Sequence, residues 1–134
     1  MAMVLYTKCI FEPRDAADGR RISVMSRHTL KGGLTIDNRI KEGESYDEWR
    51  KILAPPDELV WAHYHQLPWE EFTEQYTRHL RTASVSDAVS RLAEEAATND
   101  ITILCVEPKG ENCHRLILAA ECRRYVQDLA VLHR

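Results

Sequence analysis

The stretch that most restricts this chain is ITILCVE, residues 101–107. From Ile101 to Val106 only Thr102 interrupts an apolar run, so the segment has no side to offer to water. A strand of that kind is covered on both faces, which predicts a central place in a parallel sheet. Parallel neighbours need crossover connections, usually helical. A helical pattern stands on each side of the run.

Upstream, SVSDAVSRLAEEAATND places Val85, Ala88, Val89, Leu92 and Ala96 on one stripe. A Ser84/Asp87 capping box opens it and Asn99 closes it. Downstream, NCHRLILAAECRRYVQDLAVL predicts one long helix over 112–132, opened by Asn112 as N-cap. Its core face is Leu118, Cys122, Tyr125, Leu129 and Leu132. The last residues, AVLHR, are a candidate edge strand.

The first half is less regular. VLYTKCIF, 4–11, reads as a strand, and PRDAADG as the turn that follows it. RRISVMSRH, 20–28, reads as a second strand. TLKGGLTIDNRIKEGES, punctuated by Gly32-Gly33 and Gly43, reads as a loop. SYDEWRKIL, 45–53, carries a Ser45/Glu48 capping box and predicts a helix with Trp49, Ile52 and Leu53 on one face. Pro55-Pro56 ends it. A short helix is predicted over 57–65. Another carries Trp69, Phe72, Tyr76 and Leu80 at spacings of 3, 4 and 4. Strands at both ends with helices between them predict an α/β fold. The expected architecture is a small, mostly parallel sheet with helices on both faces, three-layer and Rossmann-like, in a single domain over 1–134.

Composition excludes several function classes. The chain has 134 residues, 44% hydrophobic, and a formal net charge of -3. That charge argues against nucleic acid as a partner. No segment reaches the roughly 18–20 apolar residues of a membrane span, and the start has no signal-peptide pattern. A cytoplasmic protein is expected. Its four cysteines are then free thiols in a reducing compartment.

The strand–loop–helix junction at 105–115 concentrates the reactive side chains. Ligands of open α/β sheets bind beyond the carboxyl ends of strands, beside helix N-termini. A helix start there leaves backbone N–H groups free and attracts anions. Arg115 adds a planar cation suited to phosphate or carboxylate. The same field would lower the pKa of Cys113, with His114 as acid or base. Cys113 and His114 are therefore the candidate catalytic pair. Arg115, Asn112, Glu107 and Cys105 are candidate ligand-binding residues, with Arg27 beside the second strand and His65 of the His-x-His pair as outlying members. Trp61 and Trp69 read as core, and Arg20 and Arg21 as surface. Cys105, Glu107, Cys113 and His114 are zinc-competent types, but their spacing matches no zinc knuckle and no metal is predicted. The cofactor stays unknown, and no nucleotide-binding or hydrolase motif is present.

The junction also carries a resemblance. ILCVEPKGENCHRLILA resembles the signature of the domain-of-unknown-function-488 family, in which a strand ending in Cys-x-Glu leads to Cys-His-Arg. Upstream, Trp49, Leu53-Ala54-Pro55, Glu58-Leu59, His65, Trp69, Phe72, Tyr76 and Leu80 resemble its YeaO-like branch, as do Gly19 and Arg27. Ser26 and the loop SRHTLKGG depart from that branch. The resemblance implies a compact cytoplasmic α/β protein and supports a site at Cys105, Glu107, Cys113, His114 and Arg115. It implies no activity. Three functions remain: a site for an anionic small molecule such as phosphate or a nucleotide, a non-catalytic structural or interaction module, and a thiol-dependent enzyme using Cys113.

Overall fold

A computed structural model describes residues 3–30 and 34–134. Gly32-Gly33 of the predicted loop lies outside the described residues. Five strands form one all-parallel sheet: β1 (Val4–Cys9), β2 (Arg20–Ser23), β3 (Glu48–Trp49), β4 (Ile101–Cys105) and β5 (Ala130–His133), in the order β3-β2-β4-β1-β5. The apolar run is β4, flanked by β1 and β2 and buried at all five positions. The α/β class and the parallel sheet are those expected from the sequence.

Among the described residues four helices complete the fold: α1 (Asp57–Tyr64), α2 (Trp69–Leu80), α3 (Ala83–Thr98) and α4 (His114–Cys122). Their stripes meet one face of the sheet. Phe72, Tyr76 and Leu80 of α2, Val89 and Leu92 of α3 and Leu118 of α4 join Leu5, Ile22, Ile101 and Ile103 in the main core. These strand positions are in register across β1, β4 and β2, so the helices rest on a continuous apolar layer.

The opposite face is polar at its centre. Lys8, Arg21 and Thr102 are buried there with Asp18, which arrives on a one-turn 3-10 helix, Ala16–Asp18. The Asp18 carboxylate accepts from Lys8 Nζ, from Arg21 Nη1 at 2.8 Å and from Arg134 Nη1 at 2.7 Å. Thr102 donates to the Asp18 carbonyl at 2.7 Å. Further along, Ile10, Met25, Ile40 and Tyr46 cover Leu104.

Several local expectations are corrected. The predicted helix at 45–53 is instead β3 and a one-turn 3-10 helix, Lys51–Leu53. Ser45 does not cap a helix; its Oγ accepts from Lys41 N–H. The Asp47 carboxylate takes the Arg21 N–H, and residues 48–49 pair with Ile22 and Ser23. A free sheet edge outcompetes a short amphipathic turn. α3 starts at Ala83 with Thr82 as its N-cap, so Ser84 lies inside the helix and is not a cap; the Thr82 hydroxyl donates back to the His79 carbonyl and caps nothing. The long C-terminal helix stops at Cys122. Arg123 Nε donates to the Leu129 carbonyl at 3.1 Å across the turn, and β5 then pairs with β1. Tyr125 and Leu132, expected in the core, are 39% and 52% exposed. Arg21, expected on the surface, is fully buried, while Trp61, expected in the core, is 63% exposed.

Candidate functional site

The carboxyl ends of β2 and β4 open into a cleft of about 570 Å³, within the size range of small-molecule pockets. Met25, Ser26, Arg27, Thr29 and Leu30 after β2 and the exposed face of α1 form its walls. Cys105, Glu107 and His114 form its inner end.

Each reactive group arrives for a local reason. Cys105 is the last residue of β4, and Glu107 follows as the chain leaves the sheet. The loop returns to α4, whose N-cap is Cys113 rather than Asn112. Asn112 is exposed and makes no cap. Cys113, 1% exposed, packs into the smaller core, so its side chain points inward. His114 opens the helix and reaches the cleft beside Cys105.

The contacts form a chain. Cys105 Sγ donates to Glu107 Oε2 at 3.0 Å and lies 3.4 Å from His114 Nδ1. His114 Nε2 is 2.8 Å from the Val24 carbonyl. A carbonyl can only accept, so Nε2 carries a proton and donates to Val24, while Nδ1 is the ring nitrogen turned toward Cys105. Tyr64 donates to Glu107 Oε1 at 3.3 Å. The edge of Tyr76 meets the His114 ring, at 5.6 Å and 89°.

The surroundings set the charge states. Burial disfavours the Glu107 carboxylate, but Cys105 and His114 outweigh it and hold the group below the usual range. Burial and the neighbouring Glu107 push the Tyr64 phenol up, so it stays protonated. Burial opposes a charged His114, yet Cys113, the Val24 carbonyl and Glu107 shift it upward. The Cys113 thiol moves opposite to expectation: burial raises it well above its ordinary value. A thiol buried against apolar groups loses more by desolvation than the helix start returns.

Of the residues singled out in the sequence, Cys105, Glu107, His114, Arg27 and His65 line the cleft. Arg27 is ion-paired to Asp57 at 2.9 Å, and His65 stacks on Trp61 at 3.9 Å. Cys113 sits behind Cys105. Arg115 is 2% exposed on the sheet side of α4, and its Nε and Nη1 have no hydrogen-bond partner. Tyr64 and the Val24 carbonyl were missed. Tyr64 had a weak signal, one place before His65 on a short helix. A backbone carbonyl leaves none.

A family model described as the active DUF488-N3 subclade matches residues 5–125, a span that includes every group above. No curated protein and no solved structure matches the chain.

Proposed function

The chain belongs to the DUF488 family, and on that premise we propose that it is a small-molecule enzyme working at the inner end of this cleft. The observation that carries the proposal is the convergence of Cys105, Glu107, His114 and Tyr64, from three separate elements, on one end of a largely apolar hollow. Titratable groups with opposed shifts in a cleft are the usual arrangement of an acid–base site. Glu107, held ionised, is the proton acceptor. Tyr64, held protonated, is the donor to developing negative charge. The exposed Trp61–His65 stack offers a flat apolar surface to the rest of the ligand.

A fragment screen followed by amide chemical shifts tests this without a known substrate. Hits are expected to move Trp61, Tyr64, His65 and Glu107 together, and Trp61→Ala to weaken them roughly fivefold or more. A diverse library that leaves those amides unmoved at millimolar concentration overturns the reading.

An anionic ligand, phosphate or a nucleotide, is the second reading. Its support is Arg115, a buried cation with two unpartnered nitrogens, since a buried unpaired charge is costly. An anion at 100 times its Kd raises stability by about 2.7 kcal/mol. An unchanged melting temperature with phosphate, sulfate and nucleotides ends this reading.

A further inference from the structure

Cys105, Cys113 and His114 are brought together from two elements, and their ligand atoms all lie within 4.8 Å of one another. We propose that these three side chains bind a zinc ion, with a fourth coordination position on the cleft side. The proposal rests on the reading of the cleft as a small-molecule site and supplies its cofactor.

Spacing supports it first. Tetrahedral zinc, with bonds of roughly 2.3 Å to sulfur and 2.0–2.1 Å to nitrogen, sets sulfur and nitrogen ligands roughly 3.5 Å apart and two sulfurs roughly 3.8 Å apart. The observed separation of Cys105 Sγ and His114 Nδ1 is 3.4 Å. The Cys113 sulfur belongs to the same group.

Ring orientation is the second observation. Ligating histidines almost always donate their other ring N–H to a carbonyl or carboxylate, which fixes the tautomer. His114 makes that bond to Val24. The ring nitrogen not used in that bond is the one facing Cys105.

The third is placement. Cys105 and His114 line the cleft, whereas Cys113 sits behind them. Three protein ligands and an accessible side are the pattern of catalytic zinc, in contrast to the closed four-ligand structural sites. Two thiolates and an imidazole are soft donors that suit zinc over magnesium or calcium. On binding, both thiols release their protons to solvent, and two thiolates balance the two charges of the ion. Glu107 lies outside the three-ligand group but touches Cys105. Once Cys105 has given up its proton the Glu107 carboxylate is placed to take one from a water on the metal.

The sequence concealed this because residues 105 and 113 are separated by a loop of seven residues and the third ligand adjoins the second. No zinc-finger spacing describes C-x7-C-H. The loop's return brings them together.

The test uses the full chain, reduced, purified without a metal-affinity step, and assayed by elemental analysis. About one zinc per chain is expected. Cys113→Ser and His114→Ala should each cut this at least tenfold, while Cys122→Ser, which alters a buried cysteine outside the cluster, should leave it unchanged. Titration of the wild-type apoprotein with cobalt(II) reads the site independently of how the variants fold. Thiolate charge-transfer and tetrahedral d–d bands saturating at one equivalent support the site. Wild-type protein that keeps no zinc and gives no such bands overturns it, as does zinc that survives loss of Cys113 and His114. Fragment shifts at Trp61 and Tyr64 persisting in a protein that takes no metal would remove the zinc and leave the cleft reading standing.

Discussion

Asp18 and Arg21 form an ion pair of 2.8 Å with at most 1% of either side chain exposed. Lys8 and Arg134 also reach the same carboxylate, so one anion holds three cations over the polar face of the sheet. Burial alone would raise the Asp18 carboxyl. Hydrogen bonds from the Asp15 N–H, Lys8 and Arg21 outweigh it and hold the group at about 2. The folded value lies below the unfolded one, so the stabilisation is complete above pH 4 and is lost as pH falls toward 2. Asp18→Asn leaves buried cations uncompensated and should cost about 3–5 kcal/mol in denaturant unfolding at pH 7.

Gly19, next in the chain, has φ of 64°, and an added Cβ would stand 2.0 Å from the Asp100 carbonyl oxygen. That carbonyl accepts the Arg20 N–H and starts the pairing of β2 with β4. Backbone cannot yield as a flexible side chain can. Gly19→Ala should therefore destabilise by about 3 kcal/mol or more, read as a lower midpoint with an unchanged denaturant slope.

What the sequence disclosed follows from the range of the forces involved. β4, α2 and α3 were legible because burial imposes its period within each segment: Phe72, Tyr76 and Leu80 had only to face one way. β3 was not, because its ladder partners, Ile22 and Ser23, lie 26 residues earlier. β5 was visible only as a candidate edge, while the pattern through Tyr125 and Leu132 favoured a helix that the turn at Arg123 forbids. At the site, Cys105, Glu107 and His114 were legible as chemical types at a strand–helix junction. The inward turn of Cys113, which reverses its expected acidity, depends on the loop 106–112 and has no local signature.

His28 supplies a pH dependence in a different window from Asp18. Its ring stacks on Trp49 at 3.9 Å and lies 2.7 Å from Ser23 Oγ. Burial lowers its pKa from 6.5 to about 4. Between those values the unfolded chain binds the extra proton, so stability falls as pH drops from 6.5 to 4 and levels off below. Allowing for partial solvent access, the loss is about 2 kcal/mol. In His28→Gln the fall across that window should shrink by that amount, leaving the smaller contributions of His79 and His133, whose pKa values burial also lowers, while the Asp18 loss at lower pH persists. A wild-type profile already flat there would show that the ring titrates normally.

Cysteine reactivity separates the cleft from the core behind it. All four thiols are free, but only Cys105 borders the cleft. Cys113 and Cys122 are buried away from it, and burial pushes both up, Cys122 to about 12. Thiolate is the reacting species, and access is needed as well. Iodoacetamide at pH 7.5, with peptide mass spectrometry over time, should label Cys105, 2% exposed but facing the cleft, ahead of Cys113 and Cys122. Mild denaturant should bring the buried pair up together as the fold opens. Adding zinc to the folded protein beforehand should slow Cys105 and leave Cys122 at its own rate, because Cys105 belongs with Cys113 to the proposed ligand set and Cys122 does not. Cys113 reacting first would place a reactive thiolate at the start of α4, as the sequence alone suggested, and would contradict its inward packing.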